Sequence, residues 1–118
     1  RLACCAADRA VVVSTTDASA LRDAQRTVSV LRDRIPRIHL VVNRVQPRLL
    51  RRLHTTIDDA MDAAGLPLLG IVPEDPQVML CANQGQPLIL RASRGAAVAY
   101  LNIAKRLLGQ KAPLMKIR

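Results

Sequence analysis

Three short polar segments hold most of the side chains in this chain that could do chemistry: Ser14-Thr15-Thr16-Asp17, Asn43-Arg44-Val45-Gln46-Pro47 and Pro73-Glu74-Asp75-Pro76. Each follows directly on an apolar run. Asn43 is the most suggestive member, because a carboxamide offers a donor and an acceptor in one plane and so matches the edge of a purine. An Asn in a loop equally satisfies nearby backbone groups. The two prolines Pro73 and Pro76 stiffen the backbone between them, so its amides and carbonyls could be held for a planar ring. The alternative there is a strand-to-helix turn in which Asp75 caps the helix.

No other constellation competes with these. His54 has no Ser or Cys spaced to meet it on a helix, and His39 and His54 lack a matching set of metal ligands. Cys4, Cys5 and Cys81 form no C-x-x-C motif and no even disulfide framework, so they read as reduced thiols of a cytoplasmic protein. The phosphate-cradling pattern Gly-x-x-x-x-Gly-Lys-Ser/Thr does not occur in these residues, and catalysis is assigned to none of them.

The elements that must position the three segments can be read from periodicity. Ala10-Val11-Val12-Val13, Ile38-His39-Leu40-Val41-Val42 and Leu68-Leu69-Gly70-Ile71-Val72 are nearly continuous apolar runs. Strands covered on both faces require such runs, as in a parallel sheet between helices. From Asp17 to about Arg34, Leu21, Ala24, Val28 and Leu31 step by three and four along one helical face, with Asp17 or Ser19 as cap. A second helix is expected from Pro47 to Ala64 on Leu50, Leu53, Ile57, Ala60, Met61 and Ala64, and a short one from Pro76 to Asn83. The last begins near Ser93, carries Ala96, Ala97, Tyr100, Ile103, Leu107 and Leu108, and ends at Gly109. This order predicts an α/β class: a partial three-layer parallel sheet flanked by helices. Ligands then collect at the carboxyl ends of the strands, so the three polar segments should share one rim.

At 118 residues the chain is the size of one domain, with 110–118 as a tail. It lacks an initiator Met and reads as the inside of a longer polypeptide, entered partway along a helix. Half of it is hydrophobic, with one aromatic residue, Tyr100, so the core is aliphatic. No apolar run approaches the ~20 residues that cross a bilayer. The net charge of +9, from 18 basic and 9 acidic residues, admits nucleic acid, anionic lipid or an acidic protein as partner. Arg44, Arg48, Arg51 and Arg52 crowd the start of the expected second helix and Asp58, Asp59 and Asp62 its end. That is backwards for the helix dipole and hints at an anionic partner near the rim, the alternative being a solvated basic face. No aromatics stand beside the arginines to stack on single-stranded nucleic acid.

Taken in order, four stretches resemble the division-site ATPases of the MinD type, which belong to the ParA/MinD deviant Walker A family. They are Val11 to Arg26, Leu40-Val41-Val42-Asn43-Arg44-Val45, Gly70-Ile71-Val72-Pro73-Glu74-Asp75 with Asn83-Gln84-Gly85-Gln86-Pro87-Leu88, and Ala99 to Gly109. The likeness is to the C-terminal half of that fold. It implies a P-loop ATPase that takes ATP with Mg²⁺, dimerises on ATP, and sits on the inner face of the cytoplasmic membrane. It further implies recruitment of the division inhibitor MinC and, in proteobacteria, stimulation by MinE. Carried over by position, Asn43 with Pro73, Glu74 and Asp75 would hold the adenine, with Arg44 beside it. Asp17, Ser19, Arg22 and Asp23 fall where the family meets MinC or MinE. Thr16 stands where relatives often have Pro, and Gln25 where some have Asp. With the phosphate loop and membrane helix outside these residues, the chain alone is expected to bind no nucleotide tightly and to be inactive. A DNA-partitioning or flagellar-number ATPase of the same superfamily, or a non-catalytic interaction module, are the alternatives.

Overall fold

Three parallel strands in the order β1-β2-β3 build the sheet, with β2 in the middle: β1 is Arg9–Ser14, β2 Arg37–Val45 and β3 Leu68–Pro73. The computed structural model describes residues 7–54 and 56–114, so Cys4, Cys5, the expected helical entry and the last four residues of the expected tail lie outside them. The helices are α1 (Ala18–Leu31), α2 (Pro47–Arg52), α3 (Ile57–Ala64), α4 (Pro76–Asn83), α5 (Leu88–Arg91) and α6 (Ala96–Leu107). The α/β class expected from the continuous apolar runs is what forms.

Alternation along β2 divides the core into two layers. Leu40 and Val42, both fully buried, face one side with Val12, Ile71 and the stripes of α1 and α3, including Ala24, Val28, Ile57 and Ala60. Val41 faces the other side with Leu69, Val72, Ala96 and Ala99. A bulge on β3 serves this second layer. Leu68 pairs with Leu40 and Gly70 with Val41, which leaves Leu69 as an extra residue. Leu69 and the missing side chain of Gly70 therefore both turn toward α6. A Cβ on Gly70 would stand 2.2 Å from Ile103 Cγ1, so glycine is what lets α6 lie this close to the sheet.

The helix expected over Pro47 to Ala64 is two helices, and the correction changes the electrostatics. Leu53 ends α2, His54 takes a left-handed φ of 53°, and Thr56 starts α3. The Thr56 hydroxyl accepts the Asp59 N–H while the Asp59 carboxylate accepts the Thr56 N–H, a reciprocal cap that nucleates a new helix. Leu53, placed in the buried stripe by its spacing, is 51% exposed. With the break, Arg51 and Arg52 occupy the last turn of α2, and Asp58 and Asp59 the first turn of α3. Those are the ends the dipole favours for these four charges, which leaves only Arg48, in the first turn of α2, and Asp62, in the last turn of α3, on the unfavourable side.

Smaller corrections follow the same logic. The first helix stops at Leu31 rather than near Arg34, and Asp17, not Ser19, is its cap. The last helix starts at Ala96, not near Ser93, and its buried face is Ala96, Ala97 and Ala99, with Ile103 and Leu107 partly buried; Tyr100 and Leu108 are exposed. α5 was not anticipated. Arg9, at the start of β1, donates to the carbonyl of Leu107 at 2.7 Å and so ties the end of α6 to the sheet.

Gly70→Ala should lower the unfolding free energy by about 1–3 kcal/mol, the usual cost of forcing carbon into a filled core. Ile103→Ala removes the colliding atoms, so in urea titrations the double variant should lose less than the sum of the two single ones. Additive losses would show that the bulge and α6 do not meet as described.

Candidate functional site

The tips of β2 and β3 are stitched together by groups that both belong to the polar segments. A register shift between Val42 and Val45 puts Asn43 and Arg44 into a bulge, and Arg44 takes φ 54° to accommodate it. That conformation is costly for a residue with a side chain and persists where its surroundings fix it. Here two contacts do so. The Glu74 N–H donates to the Val45 carbonyl at 3.0 Å, and Arg44 Nε donates to Glu74 Oε2 at 2.9 Å. The ion pair is exposed, so its worth is small, ~0–1 kcal/mol, and its effect is mainly to set spacing.

Between these tips and the helices beyond lies a cleft of about 690 Å³. Asn43, Arg44, Pro73, Glu74 and Asp75 all line it, together with Met79, Asn83 and Tyr100. All five residues assigned to a nucleotide base from the sequence therefore converge. Their roles differ. The Glu74 side chain is engaged with Arg44, and the Asp75 carboxylate accepts the N–H of Gln77 and of Ala96, each at 3.0 Å. Asp75 is thus a cap, the alternative weighed for it above. Asn43 is half-buried, and among the described residues its carboxamide has no hydrogen-bond partner. A cleft with apolar walls, a few polar groups and a volume within the ~300–1,000 Å³ of small-molecule sites suits a planar heteroaromatic ring.

Sequence reasoning missed Tyr100 as a cleft residue, reading it as part of the buried stripe. It is 41% exposed and lines the same cleft as Asn43. The available signal was its singularity, since no other aromatic residue occurs in the chain.

The first polar segment lies apart from the β3 tip but shares Asn43 with the others. Ser14, Thr15, Asp23 and Asn43 line a second cleft of about 480 Å³ beside β1 and α1. So the common rim is two clefts that meet at Asn43. The residues assigned to protein partners, Asp17, Ser19, Arg22 and Asp23, are all exposed and fall within the first two turns of α1 and its cap. Asp17 accepts from the Thr15 hydroxyl and, at 3.1 Å, from the Ala20 N–H. The Thr15 hydroxyl, then the Ala20 amide, hold its carboxyl below the ordinary value of 3.8. Asp23 stands 3.9 Å from Arg26. Gln25, at the position where some relatives have Asp, donates its amide to the Ala63 carbonyl and so bridges α1 to α3. Cys81 is buried, and no helix among the described residues is long and apolar enough to cross a membrane.

Comparison with known proteins agrees with this arrangement. The sequence is 40% identical over 111 residues to the septum site-determining protein MinD of Bacillus subtilis, covering 92% of this chain and 41% of that protein. Among solved structures, MinD in the MinC:MinD cell division protein complex of Aquifex aeolicus matches with a TM-score of 0.86 at 30% identity, covering 95% of this chain and 47% of that one. A septum site-determining protein MinD from Pyrococcus horikoshii, complexed with Mg-ADP, matches with a TM-score of 0.73 at 24% identity, covering 85% of this chain and 41% of that one. No family model matches. The chain spans about two-fifths of the length of the curated relative. The resemblance to MinD drawn from the four sequence stretches is borne out.

Because the folded-state pKa of Asp17 is depressed, its cap stabilises the protein above the ordinary carboxyl value and loses that effect as pH falls through the folded value. The stability gap between the wild type and Asp17→Ala should therefore be full near pH 6 and close as the pH falls below 3.8, as read by thermal melts. A gap that stays constant down to pH 2 would contradict the assignment of Asp17 as the charged cap of α1.

Proposed function

We propose that this chain forms the base-binding side of a nucleotide site in a MinD-like division-site positioning ATPase. Asn43 presents its carboxamide to the Watson–Crick edge of adenine, and the Pro73-Glu74-Asp75 backbone forms the floor beneath the ring. Tyr100 and Met79 supply apolar wall. Arg44, held by Glu74, closes the side of the cleft. The triphosphate and its Mg²⁺ are held by residues outside these 118, where they would supply the chemistry of hydrolysis. The whole protein takes ATP, dimerises on the inner face of the cytoplasmic membrane, and recruits MinC through the exposed face begun by Asp17, Ser19, Arg22 and Asp23. Where MinE occurs, the same face is its docking surface.

The observation that carries this reading is the half-buried Asn43 carboxamide, without a hydrogen-bond partner among the described residues, on a cleft that it lines with Arg44 from the β2 tip and with Pro73, Glu74 and Asp75 from the β3 tip. The Mg-ADP in the P. horikoshii protein and the MinC in the A. aeolicus complex support the choice of ligand and partner. The rival reading, a DNA-partitioning ATPase, drew on arginines apparently misplaced along one helix. Of those arginines, Arg51 and Arg52 sit at a favourable helix end and Arg44 is paired with Glu74, so that reading keeps only Arg48 of its particular support.

In the full-length protein, Asn43→Ala should weaken binding of a fluorescent ADP analogue roughly 5- to 150-fold, the loss of two hydrogen bonds at about 0.5–1.5 kcal/mol each. Titration of wild type and variant measures it. An unchanged affinity would remove Asn43 from the site and, with it, the base-side assignment.

A further inference from the structure

The two helices that wall the cleft beyond the strand tips, α4 and α6, both begin at the same carboxylate. Asp75 Oδ1 accepts the Gln77 N–H in the first turn of α4, and Oδ2 accepts the Ala96 N–H in the first turn of α6, 21 residues further along. We infer that Asp75 is a positioning residue for base recognition: it fixes the cleft walls to the cleft floor by capping both helices at once, and Gly95 makes the room it needs. The inference rests on the nucleotide reading above and assigns the Asp75 side chain a part in it that touches no ligand.

Three features support the claim. α4 carries Met79 and Asn83 and α6 carries Tyr100, so both capped helices contribute cleft lining, while Asp75 itself adjoins the floor residue Pro73. A shift of either helix start therefore moves a wall relative to Asn43 and Pro73. Ala96 is fully buried, so its N–H has no water to turn to if the carboxylate is removed. Gly95 has φ 63° and ψ −126°, a conformation that side-chain-bearing residues rarely adopt, and a Cβ there would lie 2.5 Å from Asp75 Oδ2. The backbone of residue 95 is thus shaped around this one oxygen.

The test measures affinity of the full-length protein for fluorescent ADP and GDP analogues in the wild type, Asp75→Ala, Gly95→Ala and the double variant. Loss of the contact should weaken ADP binding roughly tenfold, on the scale of a lost helix cap, and GDP binding by much less, so that the ADP-to-GDP preference falls. The double variant should be no worse than the more damaging single one, because both break the same contact. Asp75→Asn, which keeps the shape and one acceptor, provides a folded variant should the alanine form fail to fold, and its preference should fall by an intermediate amount. Unchanged ADP affinity, equal losses for both bases, or a wild type with no preference between bases overturns the positioning role. A wild type that binds neither analogue overturns the nucleotide reading itself, which is a different result from a wild type that binds and Asp75 variants that bind alike.

Discussion

Everything in this fold is hung on β2. It is the central strand, paired in parallel on both sides, and its Leu40 and Val42 have no exposed surface. A parallel strand buried on both faces carries exposed polar side chains most readily where the covering helices end. That places Asn43 and Arg44 at the carboxyl tip, and parallel pairing then brings the tips of β1 and β3 alongside. The convergence of the polar segments is a consequence of the hydrogen-bonding direction of the sheet, enforced by the aliphatic layers above and below it.

The features legible in the sequence were those with a local or periodic cause. The apolar runs gave the strands because their continuity has one structural meaning in a chain that alternates them with amphipathic stretches. Asp17 and the Pro47 start were readable from capping chemistry. The break between α2 and α3 was obscured because Leu50, Leu53, Ile57, Ala60 and Ala64 keep helical spacing across it. The local signal, Thr56 three residues before Asp59, competed with that spacing and prevailed, since a reciprocal cap satisfies two otherwise orphaned N–H groups. The face of α6 was misread for a tertiary reason. Periodicity admits Tyr100 to the buried stripe, but the bulge at Leu69 and Gly70 draws Ala96, Ala99 and Ile103 to the sheet and turns Tyr100 to the cleft.

The candidate site was legible in its membership and illegible in its division of labour. Spacing and resemblance named Asn43, Arg44, Pro73, Glu74 and Asp75 together, and the five do share one cleft. Which of them has a side chain left for a ligand depends on contacts across 30 residues for Arg44 and Glu74 and 21 for Asp75 and Ala96, and no local pattern encodes those. Three of the polar residues, Arg44, Glu74 and Asp75, are spent on holding the frame, and Asn43 is what the frame presents. The local cap at Thr56 likewise reduced the argument from misplaced charge to Arg48 and Asp62, since it had rested on treating two helices as one.

The central claim is that the joined tips of β2 and β3 receive the base of a nucleotide. A crystal structure of the full-length protein with Mg-ADP tests it most directly. The account predicts the adenine ring in the cleft between Asn43 and the Pro73-Glu74-Asp75 backbone, with the Asn43 carboxamide hydrogen-bonded to its edge and the Asp75 carboxylate still on Gln77 and Ala96. A ring bound elsewhere, with this cleft filled by solvent, would contradict it.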